Sequence, residues 1–405
     1  MSLATGRPTV AIVNALPVEN AAQRLLTDDL LERRISGDPN YYQVGSLPSA
    51  DAGTPHRVVV AMLGQDGTRN AAALCTDLLR SFPTVRCVIL SGVAGGVPAP
   101  QAPDRHVRLG DVVVATDGVV DLGHVRTVDG VDVLRRATEG LSHYLLRAER
   151  ELQVRELRNV RPWEAWLGIP NAPVPPGFSR PPEQTDVLYV GGRPVEHPPA
   201  EPRGMPRIHR GAIGSADRLL RDAVKRDELA GRYHVRALEM EASGIAASSA
   251  LRSVQWFVVR GIADYCDNAT KNDRWHPYAS LASAAYVRAL LASCRPLAGQ
   301  DDWQAGPAAS SLSFEDVVEI ADALLTLEQF RDDYDRRAVM TNLPAEIRAN
   351  IADSPRARLH VIAMVRTCAE FDHGKEALLG ALRAAAPGSS AMERAAATIA
   401  ARWPG

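Results

Sequence analysis

Apolar and polar positions alternate along the first 295 residues in blocks that predict strands followed by helices. Continuous apolar runs predict buried strands at residues 9–13, 57–63, 85–90, 112–115 and 256–259. Between these runs, apolar residues recur at helical spacing. The alternation predicts an α/β fold in which a mostly parallel or mixed sheet is flanked by helices.

Three stretches carry more specific expectations. The helix expected after the first strand has one apolar face, formed by Ala22, Leu25, Leu26 and Leu30. The glycines between Gly92 and Gly96 follow a buried strand, where we expect a loop that lets backbone amides approach a ligand or permits a tight turn. A further helix is expected through Leu219, Leu220 and Val224.

The pattern changes twice along the chain. A helix at residues 141–157 precedes a proline-rich stretch, residues 162–206, that we interpret as an insertion lying over the sheet. No strand pattern follows residue 311, and helical stripes there predict a small all-α bundle. The sequence thus predicts an α/β domain at residues 1–296, a linker at 297–311 and a helical domain at 312–402.

Composition excludes several classes of protein. The 405 residues are 46% hydrophobic and 23% charged with a net charge of −2, so nucleic-acid binding has no electrostatic support. Five scattered cysteines without a C-x-x-C pair indicate a reducing compartment and no zinc site. No apolar run is long enough to span a membrane, and no signal peptide is visible. We expect a cytoplasmic protein without metal or cofactor.

Candidate chemistry gathers where strands end and helices begin. Asp264 ends the apolar strand that starts near Gln255, and ligands of open α/β sheets bind beyond such ends. Alone, an aspartate there more often caps the next helix. Other polar residues at such junctions are Glu19, Ser215, Glu239 and Glu241, with Met240 between the last two. Their shared rim indicates one site.

Residues 8–295 resemble the nucleoside phosphorylase and nucleosidase superfamily. The likeness is narrowest to the methylthioadenosine/adenosylhomocysteine nucleosidase branch and to related domains of signalling and conflict proteins. It implies a phosphorylase-type mixed, twisted sheet and a homo-oligomer. The matching motifs are A-I-V-N-A-L-P-V-E (11–19), S-G-V-A-G-G (91–96), L-G-D-V-V-V (109–114), G-A-I-G-S-A-D (211–217), L-E-M-E-A-S-G (238–244) and V-R-G-I-A-D (259–264).

The resemblance implies cleavage of the N-glycosidic bond of a purine nucleoside or nucleotide, with an adenine-type base favoured. Asp264 matches the acid that shares its proton with N7 of the departing base. Glu19 matches the residue that activates the attacking water. Glu241 matches the carboxylate that binds the ribose hydroxyls, with Met240 under the sugar.

The remaining positions are implied as substrate-binding or supporting. Backbone amides from Val93 to Gly95 match the wall beside the base or the nucleophile. Leu219 stands where housekeeping nucleosidases have a stacking phenylalanine, and Arg260 would support the strand end. Glu239 and Ser215 complete the substrate-binding set. Basic residues of the insertion could meet phosphates, although a solvated loop is the favoured interpretation; they are Arg203, Arg207, His209 and Arg210.

The nucleophile is the next question. Phosphorylases of this superfamily carry a G-D-P loop after the first strand and an arginine before the S-G-x-x-G-type loop. Here the first loop reads Asn14-Ala15-Leu16-Pro17-Val18-Glu19, and Leu90 precedes Ser91. The missing anion contacts favour water. The alternatives are a phosphate-dependent purine nucleoside phosphorylase and a non-catalytic nucleotide-sensing module.

Residues 312–400 resemble an effector-associated domain, a death-like helical adaptor of bacterial conflict systems. The matching stretches are V-V-E-I-A-D-A-L-L-T-L (317–327), L-P-A-E-I-R (343–348) and R-A-R-L-H-V-I-A-M-V-R-T-C (356–368). The resemblance implies docking to a protein partner that bears a matching domain. The whole chain is then expected to be an anti-phage-type effector recruited through its C-terminal adaptor.

Overall fold

Two compact units, residues 1–299 and 300–405, make up the computed structural model of the chain. The structure describes residues 7–128, 131–134, 141–167, 175–199, 204–267, 273–297, 312, 314–348, 351, 354, 356–369, 371, 373–385 and 389–403. The expected linker lies outside the described residues except for Leu297, as does Arg203 of the insertion.

The first unit contains strands and helices. The strands are β1 Val10–Asn14, β2 Asp28–Arg33, β3 Tyr42–Leu47, β4 His56–Met62, β5 Cys87–Gly96, β6 Val112–Val114, β7 Val119–Asp121, β8 Val125–Val128, β9 Val131–Leu134, β10 Leu188–Val190, β11 Arg193–Val195, β12 Ile208–Arg210, β13 Ala212–Ser215, β14 Val235–Glu239 and β15 Gln255–Asp264. The helices are α1 Pro17–Leu25, α2 Thr68–Ser81, α3 His143–Leu157, α4 Ala223–Tyr233, α5 Ala242–Leu251 and α6 His276–Leu291.

Within the described residues, eleven strands form one mixed sheet with β5 near its centre. Strand β5 pairs in parallel with β1 and β15, and β1 pairs in parallel with β4. Strands β3 and β6 run antiparallel to β4 and β15. Near its carboxyl end, β5 also pairs antiparallel with β14, which brings β13 and β7 into the sheet. The predicted fold class, a mixed sheet flanked by helices, is confirmed.

Helices cover the central strands, which explains their continuous apolar sequences. Helices α1 and α6 pack on each other and against β5, while α2 packs on α5, which contacts β5 and β15. A Cβ at Gly261 of β15 would overlap the backbone carbonyl of Ala279 in α6. Helix α6 therefore lies directly on the strand that ends at Asp264.

The end of the first helix was predicted wrongly. Helix α1 stops at Leu25, and Leu30 lies in β2, a strand at one edge of the sheet. The spacing of Leu30 continues the apolar face of α1 by coincidence. Strand β2 is largely exposed, as its sequence D-D-L-L-E-R requires, so it lacks the apolar run that revealed the central strands.

The glycine loop and the helix at Leu219 were also predicted wrongly. Residues 92–96 continue β5 as extended strand without a turn. Helix α4 begins only at Ala223, because the Asp222 side chain accepts hydrogen bonds from the amides of Val224 and Lys225 and caps it there. Leu219 and Leu220 therefore lie in the segment between β13 and α4.

The described part of the proline-rich stretch consists of short helical turns, the β10–β11 hairpin and a final strand. The turns span Pro162–Trp166, Pro176–Phe178 and Glu183–Thr185. Strand β12 then pairs in parallel with β6 at the edge of the sheet. The start of α6 holds this stretch. The Arg180 guanidinium lies over the rings of Trp275, the residue just before α6, and of Tyr278 within it.

The second unit is helical throughout its described residues. Its helices are α7 Phe314–Leu325, α8 Asp333–Met340, α9 Ala345–Arg348, α10 Ala357–Ala369, α11 Gly374–Ala385 and α12 Ser390–Arg402. Helix α7 packs against α10 and α12. Ile320, Leu324 and Met364 are wholly buried in its core. Ile320 and Leu324 belong to the apolar stripe of α7 that predicted a bundle.

Candidate active site

Strand register brings the carboxyl ends of three strands to one place. Gly95 of β5 pairs with Asp264 of β15 on one side and with Leu238 of β14 on the other. The ladder shifts between Ile262 and Asp264, and such a bulge changes the direction of the strand at its end. Glu239 follows Leu238 directly, so carboxyl groups that are distant along the chain meet here.

Arg260 is wholly buried and lies between three glutamates. Its Nη2 donates to Oε2 of Glu239 and, at 2.9 Å, to Oε2 of Glu241. Its Nη1 lies 3.9 Å from Oε1 of Glu19. Although burial opposes the charge, the three carboxylates raise the pKa of Arg260 above its usual range. One guanidinium faces three acids, so protonation of an acid relieves their mutual repulsion.

Glu19 connects the start of α1 to β5. Its Oε2 accepts hydrogen bonds from the amides of Ala15 and Leu16 at 2.6 and 2.9 Å, and its Oε1 accepts one from Val93 at 2.7 Å. Burial raises the pKa of Glu19, while Arg260 and the three amides oppose the rise. A Cβ at Gly92 would overlap this carboxylate, so the position requires glycine.

Glu241 stands at the N-terminus of α5. Its Oε1 accepts a hydrogen bond from the Gly67 amide at 3.1 Å, and Oε2 accepts one from Arg260. Burial raises the pKa of Glu241 to about 7; Glu239 and Glu19 add to the rise, and Arg260 opposes it. Glu241 can therefore change its protonation state near neutral pH.

Asp264 ends β15 and is partly exposed. Its Oδ1 accepts a hydrogen bond from the amide of Cys266 at 2.9 Å. Cys266 has a φ of 52°, which turns the chain back toward the acid. A Cβ at Gly95 would overlap Sγ of Cys266 and lie 2.9 Å from Oδ1 of Asp264. Only glycine therefore leaves room for both side chains.

A cavity of about 290 Å³ lies among these residues, close to the lower end of the roughly 300–1,000 Å³ typical of ligand pockets. Glu19, Glu241 and Asp264 all line it. Other sequence-predicted residues in its wall are Val93, Gly95, Leu219, Glu239 and Met240. The structure thus brings eight of the ten candidate residues to one cavity.

Two candidates, Ser215 and Arg260, lie behind the wall of the cavity. Ser215 is buried, and its Oγ accepts a hydrogen bond from the amide of Ser243 near the start of α5. Arg260 binds the glutamates from within the sheet. Leu219 does line the cavity, but 56% of its surface is exposed, so it forms part of the rim.

Sequence reasoning missed several other wall residues, of which Ala94, Leu238 and Cys266 adjoin predicted ones. Their neighbours in the chain were the available signal. Asp66 and His276 also line the cavity, and both come from segments remote in sequence. Both lie at the junction between a strand and the next helix, Asp66 before α2 and His276 at the start of α6, and that position was the available signal.

The basic residues of the insertion have partners away from this cavity. Arg210 forms ion pairs with Glu149 and Glu156, and His209 contacts Asp111 at 2.9 Å. The Arg207 side chain donates to a backbone carbonyl at Pro103. None of these three described residues lines the cavity. They are therefore not placed to contact a phosphate in this cavity. His209 is also buried, so it does not lie in the solvated loop that was the favoured interpretation.

The described residues contain neither a candidate metal site nor a candidate membrane span. Among those residues, no group of three or more His, Cys, Asp or Glu side chains is arranged to hold a metal ion. In the same part of the chain, no helix has the length and apolar character needed to cross a membrane.

Two family descriptions match the chain. Residues 10–292 match the family described as the Phosphorylase superfamily. Residues 321–400 match the family described as Effector-associated domain 2. The first match includes the cavity, and the second falls within the helical unit.

A curated relative and solved structures are also similar. A nucleotide-binding leucine-rich repeat (NLR)-like protein of Hyaloscypha variabilis is 29% identical over 323 residues, 73% of this chain and 30% of the relative. The chain thus spans less than a third of that relative. The 5′-methylthioadenosine/S-adenosylhomocysteine nucleosidase of Neisseria meningitidis has 20% identity and a TM-score of 0.48, covering 70% of this chain and 98% of the other. Futalosine hydrolase of Helicobacter pylori has 18% identity and a TM-score of 0.46, covering 70% and 97%.

Proposed function

The chain belongs to the phosphorylase superfamily, and on that premise we propose that it hydrolyses the N-glycosidic bond of a purine nucleoside or nucleotide. The observation that carries the proposal is the meeting of Glu19, Glu241 and Asp264 around one cavity. Glycosidic cleavage needs an acid for the leaving group and a base for the nucleophile. Separate carboxylates can take these two roles.

Asp264 is the proposed acid. As the C1′–N9 bond breaks, its electron pair passes to the purine, and N7 of the base takes the proton held by Asp264. Asp264 suits this role because it lines the cavity and its Oδ1 is oriented by the Cys266 amide. Delivery of the proton lowers the energy of the departing base, which would otherwise leave as an anion.

Glu241 is the proposed ligand of the ribose. Its two oxygens can accept hydrogen bonds from the 2′- and 3′-hydroxyls, and Met240 supplies an apolar surface beside the sugar. The carboxylate form is the acceptor, so a pKa of about 7 for Glu241 gives binding that strengthens as the pH rises through neutrality. Ser215 and Arg260 are then supporting residues, which hold α5 and the glutamates.

Glu19 is the proposed base, and water is the proposed nucleophile. Water attacks C1′ and gives a proton to Glu19, whose raised pKa makes it a better acceptor. The products are free base and ribose. Phosphate is disfavoured beside Glu19 because the Val93 amide already donates to Glu19, and because the guanidinium nearest to Glu19, that of Arg260, already faces three glutamates.

The helical unit gives the proposal its biological setting. We propose that residues 321–400, which match Effector-associated domain 2, dock to a partner bearing a matching domain. Recruitment of a purine nucleosidase would deplete purine compounds, with an adenine-type base favoured, in a conflict or anti-phage response. The description of the fungal relative as NLR-like supports a role in defence.

Chromatography of released bases tests the proposal. Purified full-length protein is incubated with adenosine and guanosine compounds, including triphosphates, with and without phosphate. When phosphate is left out of the mixture, we expect release of free base and of a sugar with a free reducing end. Asp264→Asn should lower the rate about 10³-fold, since general acid catalysis contributes roughly 10²–10⁴-fold. Glu241→Ala should also lose activity.

The alternatives predict other products. Formation of ribose 1-phosphate only when phosphate is present would identify a phosphorylase. Nucleotide binding that survives Asp264→Asn, with no turnover in either form, would identify a sensing module. Failure of the wild type to release base from any compound in the panel would contradict the proposed function.

A further inference from the structure

Tyr265 directly follows the proposed acid and points away from the cavity. It is wholly buried, and its hydroxyl donates to Oδ1 of Asp186 at 2.6 Å. The same hydroxyl accepts a hydrogen bond from the Leu109 amide at 3.3 Å. Tyr265 is absent from the cavity wall, although Asp264 and Cys266 on either side of it are present. The side chain therefore anchors the segment that carries the acid.

Asp186 belongs to the proline-rich insertion and has several partners besides Tyr265. Arg108 Nε donates to its Oδ2 at 2.8 Å, and His197 Nε2 lies 3.4 Å from its Oδ1. His106 and His197 form a further hydrogen bond at 2.8 Å. Although burial opposes the charge, His197, Tyr265 and Arg108 hold the pKa of Asp186 below its usual range. Asp186 is thus a buried, charged acceptor fixed by groups from both the insertion and the sheet.

The backbone carbonyl of Tyr265 is held as well. Arg226 of α4 is only 2% exposed, and its Nη1 donates to the carbonyl oxygen of Tyr265 at 2.6 Å. Asp264 itself accepts from the Cys266 amide. Three residues in a row, 264–266, are therefore fixed by a carboxylate of the insertion, a guanidinium of α4 and a local hydrogen bond.

We propose that Asp186 is a positioning residue, and that the insertion braces the catalytic acid Asp264 through the Tyr265 hydroxyl. The inference rests on the proposed function, since it gives Asp264 the role of acid. Asp186 does not line the cavity of Asp264. It lines a separate cavity of about 490 Å³ on the side of the insertion, so it acts only through Tyr265.

A displacement of the acid is costly because proton transfer depends on distance and direction. Misplacement of about 1 Å in an active site can cost about 10²-fold in rate. The Tyr265 anchor is short and its acceptor is charged, and hydrogen bonds to charged groups are stronger than those between neutral groups. The effect should therefore appear in kcat, where proton transfer contributes, and hardly in KM.

Tyr265→Phe in the full-length protein is the test, because it removes one hydroxyl and preserves the ring. Tyr286→Phe is the matched control. Tyr286 is also wholly buried and its hydroxyl also donates to a buried carboxylate, Glu149, at 3.1 Å, but neither of its neighbours in the chain lines the cavity. We expect Tyr265→Phe to lower kcat about 10-fold or more with KM within about threefold, and Tyr286→Phe to stay near wild type.

Two further measurements separate positioning from general damage. The 7-methylated form of the same purine substrate already carries positive charge on its base and needs no proton at N7, so Tyr265→Phe should lose less of its rate on it. Asp186→Asn keeps an oxygen that can accept from Tyr265, so it should retain more kcat than Asp186→Ala.

The outcomes are distinct. If kcat of Tyr265→Phe stays within about twofold of Tyr286→Phe, or if KM carries the loss, the positioning role is overturned. Equal losses on the normal and methylated substrates also overturn it, since they indicate general damage. If the wild type releases no base from any compound, the proposed function is contradicted, and the inference that depends on it is contradicted too.

Discussion

The two units of the chain differ in how many charged side chains they bury together. In the α/β unit, the acids Glu19, Glu239 and Glu241 are buried around Arg260 at one end of the sheet. In the described residues of the helical unit, the buried polar or charged side chains are Arg336, His360 and Thr367. Its other charged side chains are at least partly exposed, as in the pair of Arg358 and Asp322.

Under the proposed function, the difference separates a site for chemistry from a surface for docking. Burial of several acids around one arginine costs stability, because each ion loses its hydration. The same burial shifts the pKa of Glu241 to about 7, which exposed pairs cannot do. A docking role for the helical unit would need no carboxyl group with a pKa near 7, so most of its charges can stay in water. We therefore expect substitutions in the two units to differ in both activity and stability.

The largest contrast should come from the same substitution, Gly→Ala, in each unit. At Gly92 a Cβ would overlap the Glu19 carboxylate and lie 2.6 Å from Arg260 Nη1. At Gly380 in α11 nothing lies within 4 Å. We expect Gly92→Ala to abolish base release and to destabilise by about 1–3 kcal/mol. Gly380→Ala should stabilise by up to about 1 kcal/mol, because alanine favours helices.

Base release and denaturant unfolding measure the two effects. Wild-type activity of Gly92→Ala would contradict the contrast between the units, because activity would then tolerate a displacement of the Glu19 carboxylate. The contrast is also contradicted if Gly380→Ala destabilises the helical unit, because that surface would then be packed against something.

The sequence was informative where burial on both faces leaves a continuous apolar run. Strands β1, β4, β5, β6 and β15 follow directly from such runs, and the location of Asp264 in the cavity wall follows from its place at the end of one. The sheet type then follows from the alternation with helices. The apolar stripe of α7 predicted the bundle for a similar reason, since its residues face one core.

What the sequence could not predict depends on partners that are distant in the chain. Gly92 and Gly95 have the composition of a turn, yet they lie in a strand that pairs with β15. They are glycine because Glu19, Arg260 and Cys266 occupy the space that a side chain would need. Strand β2 is polar because it lies at an edge. The anchoring of Tyr265 by Asp186 joins positions 79 residues apart, and neither local sequence indicates it.

A smaller effect should appear in the pH dependence of Glu241→Gln. The folded-state pKa of Glu241 is raised to about 7, from roughly 4.3 for an ordinary glutamate. Between these values the folded protein holds a proton that the unfolded chain has released. Wild-type stability contributed by this group is therefore full below about pH 4.3 and falls as the pH rises to about 7.

Glutamine does not titrate, so the variant loses this dependence. The stability of Glu241→Gln relative to wild type should rise by on the order of 2–3 kcal/mol from pH 4.3 to above pH 7. Denaturant unfolding of both proteins at a series of pH values measures the difference. A constant difference would mean that Glu241 is ionised throughout. The wild-type kcat/KM should also fall below about pH 7 as Glu241 protonates.

The smallest effect is expected for the exposed pair of the helical unit. Arg358 of α10 donates to both oxygens of Asp322 in α7, at 3.0 Å each, but the two side chains are 58% and 51% exposed. Water and salt screen such a pair, so a double-mutant cycle with Arg358→Ala and Asp322→Ala should give a coupling of about 0.2–1 kcal/mol that shrinks at high salt. Base release should be unchanged in all three variants. A coupling of several kcal/mol, or a loss of activity, would contradict this expectation. The exposed charges of the helical unit would then be as important for stability or activity as the buried charges around Arg260, and the contrast between the units would no longer hold.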